Sequence, residues 1–578
     1  MAFYRYNAAM VKAQQKEGFS AWNPGVESKI PPAYLELETI YDPANVFTSF
    51  DEVNQLVTET GLSALELIRF RPHRLVLHEL IVRVTADVVV LEGEAEEDLG
   101  INFRSITQRI LDHYIQPHLK QIKQSYQSNT NRIEQLAQRE LDTMIERLSP
   151  AKAPLPTLWQ RLIGHKPKPP VTHQSRQERE FELINEYKTR GLETEDEFEA
   201  AVLRSLHRVL GLIATKRGFI GNDPQYLAHI CVLHASNYLG SRLLGHQLEE
   251  LVDLAIKEEG YRLILDAKSP VLFSLKGASA AGKSSLRPLL RSKITKLGID
   301  DHGYGTISPD IWRKLLLDYE SLGERYKYAG RFTSHEVSVI DTRLDRYIRA
   351  KAKKSHSIPH LVVDRFRFDS FASEKISRVL HKTYVSYIDT MYMYFIVTPP
   401  EATVERGWLR GIERGRYKAV EDYLGHCVEA YTGMPKLLFK WLANEKPRYS
   451  FKFLDNSVPK GSLPKMIARG TQGWMQIFEP APLIDIERFK RINILATSPE
   501  QVAAKPEDLA VNKNLGFLRQ CIERIEEIEF ADASSESCYL SIRAGKFEIV
   551  DMKIFEHKLG DQTLREIMLE LAPELLAR

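Results

Sequence analysis

The sequence predicts an α/β protein in which a parallel sheet is flanked by helices, with a mainly helical N-terminal region before it and a small α+β C-terminal unit after it. Three observations lead there. From Val271 onward, short apolar runs (Val271 to Leu275, Tyr304 to Ser308, His360 to Val363, Met393 to Val397, Phe451 to Leu454) alternate with helix-compatible stretches, as strands joined by crossover helices do. Before that point, apolar residues recur mostly at helical spacing, as over 101–148 and 179–268. Beyond about Phe478 the pattern is mixed: a hairpin is expected from Cys538 to Arg543 and Lys546 to Val550, turning at Ala544-Gly545, then a last helix from Thr563 to about Leu571.

Taken in chain order, residues 1–148 read as mostly helical, with one β-prone segment between Leu80 and Leu91. Residues 149–178 read as an extended linker, because Pro150, Pro154, Pro156, Pro167, Pro169 and Pro170 cannot continue a helix. Residues 179–268 form a second helical region, 269–478 the sheet domain, and 479–578 the C-terminal unit. A chain of 578 residues suits several such units, at roughly 150 residues each.

Composition is that of a water-soluble globular protein, 43% hydrophobic and 27% charged, with a net charge of +2 that gives no global argument for nucleic acid. Cys231, Cys427, Cys521 and Cys538 are far apart and none forms a C-x-x-C pair, so neither a disulfide framework nor a zinc site is expected. The start of the chain lacks a basic-then-apolar leader and no apolar run is long enough for a bilayer, so a cytoplasmic location without membrane association is expected.

The first strand ends in Gly277-Ala278-Ser279-Ala280-Ala281-Gly282-Lys283-Ser284, followed by Ser285. This is the complete G-x-x-x-x-G-K-[ST] pattern (Walker A) in the strand-to-helix setting its chemistry needs. Glycines let the backbone wrap a polyphosphate so that N–H groups point at it, Lys283 supplies a mobile charge, and Ser284 a hydroxyl for Mg2+. ATP and Mg2+ are therefore the expected cofactors. Pro288 predicts a distorted start to the following helix.

Other strand ends supply candidate catalytic groups. Asp310 follows the second strand at a turn facing the loop, where it serves either as a base for an attacking hydroxyl or as a helix N-cap. Asp364 closes the third strand, either holding Mg2+ through water or orienting an acceptor, or else pairing with Arg365 or Arg367 at the rim. Past the fourth strand, Arg406, Arg410 and Arg414 share a helix face and Arg416 follows; Arg410 and Arg416 are the best candidates for neutralising a transferred phosphoryl group. His73, His78 and Glu79 have the wrong spacing for a metal site, His302 and His335 have only proximity in their favour, and Tyr392, Tyr394 and Phe395 read as a buried strand.

In order and spacing these positions resemble the zeta-toxin family of phosphate-loop kinases, over roughly residues 270–460. The resemblance rests on Gly282-Lys283-Ser284-Ser285-Leu286-Arg287, Ser308-Pro309-Asp310-Ile311-Trp312-Arg313, Tyr319-Glu320 before Arg331-Phe332-Thr333, Val362-Val363-Asp364, and Ile396 to Glu401 leading to Arg410 and Arg416. It implies a P-loop kinase-like fold and a phosphotransferase with an alcohol group as acceptor. Lys283 would bind the β- and γ-phosphates, Ser284 the metal, and Asp310 would be the base. Asp364 would orient the acceptor, Arg410 and Arg416 would stabilise the transferred group, and Arg313 and Thr333 would contact substrate.

Family members phosphorylate UDP-N-acetylglucosamine. Here Asp364-Arg365-Phe366-Arg367 stands where the family has Glu, then Gly and Thr. The two added arginines point to an acceptor with its own negative charge. A family toxin is held by a small helical antitoxin, so a regulatory protein, or the chain's own N-terminal half acting in cis, is a candidate partner. Two other readings stand beside this one. One is a polynucleotide or RNA-end kinase using Arg365, Arg367, Lys351, Lys353 and Lys354; the other is an ATP-gated interaction protein that transfers nothing to a metabolite.

Overall fold

The computed structural model describes residues 18–93, 97–149, 175–300, 302–365, 381–459, 462–503 and 505–576. Most of the proline-rich linker, Arg367 and the first residues of the chain lie outside the described residues. The chain divides into two compact units, one made of Met1–Pro32, Val82–Ile106 and Gly260–Arg578, the other of Ala33–Ile81 and Thr107–Glu259.

Among the described residues the first unit is built on ten strands: β1 (Val271–Lys276), β2 (Tyr304–Ile307), β3 (His360–Val363), β4 (Thr390–Val397), β5 (Arg448–Asp455), β6 (Lys465–Thr471), β7 (Trp474–Ile477), β8 (Glu527–Ala531), β9 (Cys538–Arg543) and β10 (Lys546–Ile549). They form one sheet in the order β10-β9-β8-β7-β6-β5-β4-β1-β3-β2. All five strands expected between Val271 and Leu454 are present and run parallel to one another, while β6 joins β5 antiparallel. Apart from Val271 every β1 residue is buried, as expected of a strand covered on both faces. Because β1 lies between β3 and β4, its carboxyl end opens at the point where strand order reverses, where open α/β sheets bind ligands.

Four helices position the site: α1 (Arg287–Lys296) after β1, α2 (Ser334–Ser355) before β3, and α3 (Pro400–Arg414) and α4 (Val420–Leu442) between β4 and β5. Pro288 has the predicted effect. Lys283–Leu286 forms a 3-10 turn and the α-helix begins only at Arg287, placing proline in its first turn, where no intrahelical donor is lost.

The expected C-terminal hairpin is found, with Lys546 opposite Arg543 and both turn residues at positive φ, Ala544 at 49° and Gly545 at 75°. The boundary at 478/479 needs correction. Trp474 to Ile477 pair in parallel with Glu527 to Phe530, so the strands beyond it continue the same sheet. Side chains cross that boundary too: the Phe517 ring lies 5.6 Å from Phe453 and 6.1 Å from Phe439.

A second correction concerns Leu80 to Leu91, most of which lies in the helix Pro72–Asp87 rather than in a strand. Leu75, Val76, Leu80, Ile81, Val82 and Val84 are all at most 1% exposed. A helix buried on every side loses its polar stripe, and with it the 3.6-residue signal that separates it from a strand.

The other unit is helical, and its punctuation is local. Ser49 and Ser175 form capping boxes with Glu52 and Glu178, Asp196 caps Glu197–Arg217, and Asp223 caps Pro224–Ala235. Gly61 and Gly218 end their helices in the left-handed region. The sequence boundaries at 148 and 268 do not divide the units, since 18–32 and 82–106 belong with the sheet. Among the described residues no helix is long and apolar enough to cross a membrane, and no group of three His, Cys, Asp or Glu residues is placed to hold a metal ion.

Candidate active site

A cavity of about 1000 Å3 opens at the carboxyl ends of β1, β2 and β3. Its floor is the glycine loop, held by groups from two neighbouring strands. Thr398, just past β4, and Asn456, just past β5, both donate to the Ala281 carbonyl, at 3.0 and 2.7 Å. Thr398 is itself fixed by Tyr431, whose hydroxyl accepts from the Thr398 N–H at 2.8 Å and donates to its carbonyl at 2.6 Å.

Both motif glycines are required by their surroundings. A Cβ on Gly277 would meet Ile396 Cβ at 3.1 Å. Gly282 has φ +90°, and a Cβ there would lie 2.0 Å from Asn456 Nδ2. Gly282→Ala should therefore cost about 1–2 kcal/mol in backbone strain alone and also dislodge Asn456 from Ala281. A melting curve and an ATP titration will read this as a lowered Tm together with lost affinity.

Lys283 is turned back on its own loop, donating to the carbonyls of Gly277 and Ala278 at 3.2 and 3.1 Å. Burial lowers its pKa, Asp364 opposes this, and Arg410 adds to it. Gly282, Ser279, Ala280, Ser284 and Ser285 line the cavity as well.

Asp310 sits in the turn Pro309–Trp312 and caps no helix. One carboxylate oxygen accepts from Arg313 Nε at 2.9 Å and the other from Arg416. Crowding by surrounding protein would raise its pKa, but Arg416, Arg313 and Lys418 outweigh it and hold the carboxyl well below its usual range. Arg313 is a bracket, also donating to Thr333 Oγ1 at 2.8 Å. Thr333 itself is fully buried behind Arg313 and does not line the cavity.

Asp364 lines the cavity next to β3, with its N–H bonded to the Ile307 carbonyl at 2.9 Å. Arg365 has a different position from the one its sequence suggests. It pairs with Asp345 at 2.7 Å and Asp341 at 3.0 Å, both on α2, and Tyr384 donates to Asp345 at 2.6 Å. These carboxylates, with nearby Tyr384, hold the guanidinium pKa well above its usual value despite burial. A guanidinium neutralised in this way is no anion site, which removes half of the argument for a negatively charged acceptor; Arg367, the other half, lies outside the described residues.

Arg365→Met should leave two carboxylates nearly buried without their cation. The expected cost is about 3 kcal/mol, seen as a lower Tm.

The arginine column of α3 divides its work. Arg406 donates to the carbonyls of Asn456 and Val458 at 2.7 and 2.8 Å, and Arg414 pairs with Glu97 at 3.3 Å. Arg410 reaches the loop itself, donating to Ser279 Oγ at 3.4 Å, and its buried Nε has no hydrogen-bond partner among the described residues.

Sequence reasoning passed over Lys418 and His426, which also line the cavity, and the loop clamps Thr398 and Asn456. It also missed Glu92, which binds Arg287 Nη1 at 2.8 Å and Thr306 Oγ1 at 3.1 Å. A signal existed for one group only. Ser334, Ser338, Asp341, Asp345 and Arg349 recur at helical spacing along α2 and line the cavity together.

The surplus of donors over acids around the loop fits a polyphosphate. Ser284 is the loop residue that would hold Mg2+, leaving most of its coordination to phosphate and water.

No family model matches the chain, and no curated protein matches it. Among solved structures, the AvrRxo1-ORF1:AvrRxo1-ORF2 complex is similar in three forms. The native form is 15% identical, covering 41% of this chain and 70% of that chain at a TM-score of 0.27. The form with ATP is 15% identical, covering 46% and 77% at 0.30, and the form with sulphate ions is 17% identical, covering 44% and 76% at 0.28. At these TM-scores the likeness fixes neither fold nor activity.

Proposed function

We propose that the protein is an ATP- and Mg2+-dependent kinase that transfers the γ-phosphate to a hydroxyl of a small molecule, in the manner of the zeta-toxin family that its central sequence resembles. The observation that carries this reading is convergence on one cavity. The loop with Lys283, the acids Asp310 and Asp364 at the ends of adjacent strands, and the cations Arg410 and Arg416 all line it. A loop that only bound nucleotide would not need an acid beside it and a basic arm across from it.

In this reading Lys283 leaves the Gly277 and Ala278 carbonyls for the β- and γ-phosphates. Mg2+, held in part by Ser284, supplies charge neutralisation at the phosphates. Asp310, pinned by Arg313 and Arg416, is a poor base at rest. It becomes competent when Arg416 is drawn onto the phosphoryl group, so proton acceptance is tied to an occupied loop. Asp364 orients the acceptor hydroxyl.

The acceptor would lie against α2, where Asp341, Asp345, Ser338 and Thr342 line the cavity. Carboxylate and hydroxyl oxygens there suit a polyhydroxylated molecule. The nucleic-acid reading loses support, because Lys351 is paired with Asp87 at 2.8 Å and Arg365 with Asp341 and Asp345.

The test is to incubate the purified protein with γ-labelled ATP, Mg2+ and a deproteinised cell extract, and identify what acquires label. Label in one hydroxylated metabolite is the expected result. ATP binding with no label in any metabolite would overturn the kinase reading in favour of a nucleotide-gated interaction protein.

A further inference from the structure

The arm after β4 carries one more cation than the sequence singles out. Lys418 lies in the link between α3 and α4. Its Nζ donates to Ser279 Oγ at 3.1 Å and lies 3.4 Å from His426 Nδ1. Arg410 donates to the same hydroxyl at 3.4 Å. Two cations thus meet on a neutral oxygen of the phosphate-binding loop, and that oxygen compensates neither charge. An anion entering the loop offers both a far stronger partner.

We propose that Lys418 is a fourth phosphate-binding cation of this site, beside Lys283, Arg410 and Arg416, held in reserve on Ser279 and His426 and passed to the terminal phosphate of a nucleoside triphosphate when one enters. The inference rests on the polyphosphate reading of the loop and adds a residue to it.

The surroundings give this residue a particular behaviour. Facing it are Arg410 from α3, Asp310 and Arg313 from the turn after β2, and Asp422 and His426 from α4. Burial, then Arg410, push the ammonium pKa down to about 7, with Asp310 and Asp422 opposing. His426 is kept neutral by burial first and then by Lys418, Lys283, Arg331 and Arg410, so its Nδ1 accepts from Lys418.

A lysine that is only partly charged near neutrality takes up a proton when a polyanion arrives. The sign follows: the pKa is lowered in the empty site and raised by the bound phosphate. Binding is therefore strongest where Lys418 is already protonated, below about pH 7, and weakens as the pH rises through that value.

Calorimetric titration of the full chain with ATP and Mg2+, in buffers of different ionisation heat, tests this. Wild type should take up a proton on binding in neutral to mildly alkaline buffer, and its affinity should fall with pH. Lys418→Met should bind at least about tenfold more weakly on the acid side and lose that uptake. Lys418→Arg, permanently charged, should restore affinity and remove its dependence on pH.

If Lys418→Met keeps wild-type affinity and proton uptake, the inference fails while the kinase reading stands. If wild type binds no ATP, both fall. Should the methionine variant misfold, the arginine variant still decides, because proton uptake unchanged from wild type would overturn the proposal.

Discussion

Asp310→Asn should lower phosphoryl transfer by about 10²–10⁴-fold, while ATP affinity holds or improves. The substitution keeps the shape of the side chain and removes its capacity to take a proton from the acceptor. It also removes the negative charge that engages Arg313 and Arg416. Those guanidiniums then add to the positive field over the loop, which is why binding should not suffer.

Transfer is read with labelled ATP and affinity by calorimetry. Loss of both together would mean that Asp310 organises the loop and has no role as base. The pH profile supplies an independent check. With its pKa held well below the usual range, Asp310 stays ionised throughout the neutral and mildly acidic range. The stability its ion pairs contribute is present above the ordinary carboxylate pKa and is lost only as pH falls through the depressed one. Any acid limb of activity near neutrality must come from another group.

Lys283→Met should cost about 10²–10³-fold in transfer and, unlike the Asp310 change, should weaken ATP binding as well. Methionine matches the length of the side chain but can neither donate to the Gly277 and Ala278 carbonyls nor meet a phosphate. Removing the ammonium also takes away a positive group from beside Arg410 and Arg416, with which it interacts unfavourably in the empty site. Against that stand the favourable Asp364 and Asp310 and the two carbonyl bonds, so the variant's stability should stay near that of wild type, with the loss falling on nucleotide handling. A melting curve run with and without ATP separates the two: wild type should be raised by ligand, the variant far less. Equal stabilisation of both would remove Lys283 from the phosphate site.

The placement of Lys283 and Asp310 on one cavity was legible in the sequence because it is set locally. A glycine loop needs its spacing wherever it occurs, and an acid at the end of an apolar strand has one direction in which to point. The five parallel strands were equally plain, since burial on both faces writes a continuous apolar run, as did the Pro288 start and the Ala544-Gly545 turn. What depends on distant partners was not legible. Nothing near Arg365 announces that acids on α2 will neutralise it. Nothing near Thr333 places it behind Arg313, and Lys418 in a short link has no pattern at all. The helix Pro72–Asp87 was misread for the opposite reason, because burial on every side erased its period. Composition likewise carries no mark of which unit a segment joins, so the boundaries at 148, 268 and 478 followed changes of pattern instead of packing.

The order in which the two units alternate along the chain has a consequence for synthesis. Every residue of the helical unit is synthesised before β1, so that unit can close before the sheet is complete. Residues 18–32 and 82–106 belong with strands that do not yet exist. Glu92, which anchors Arg287 and Thr306, waits about 200 residues for them. During that interval two strips of unsatisfied surface are tethered to a finished neighbour, a natural place for a chaperone to act.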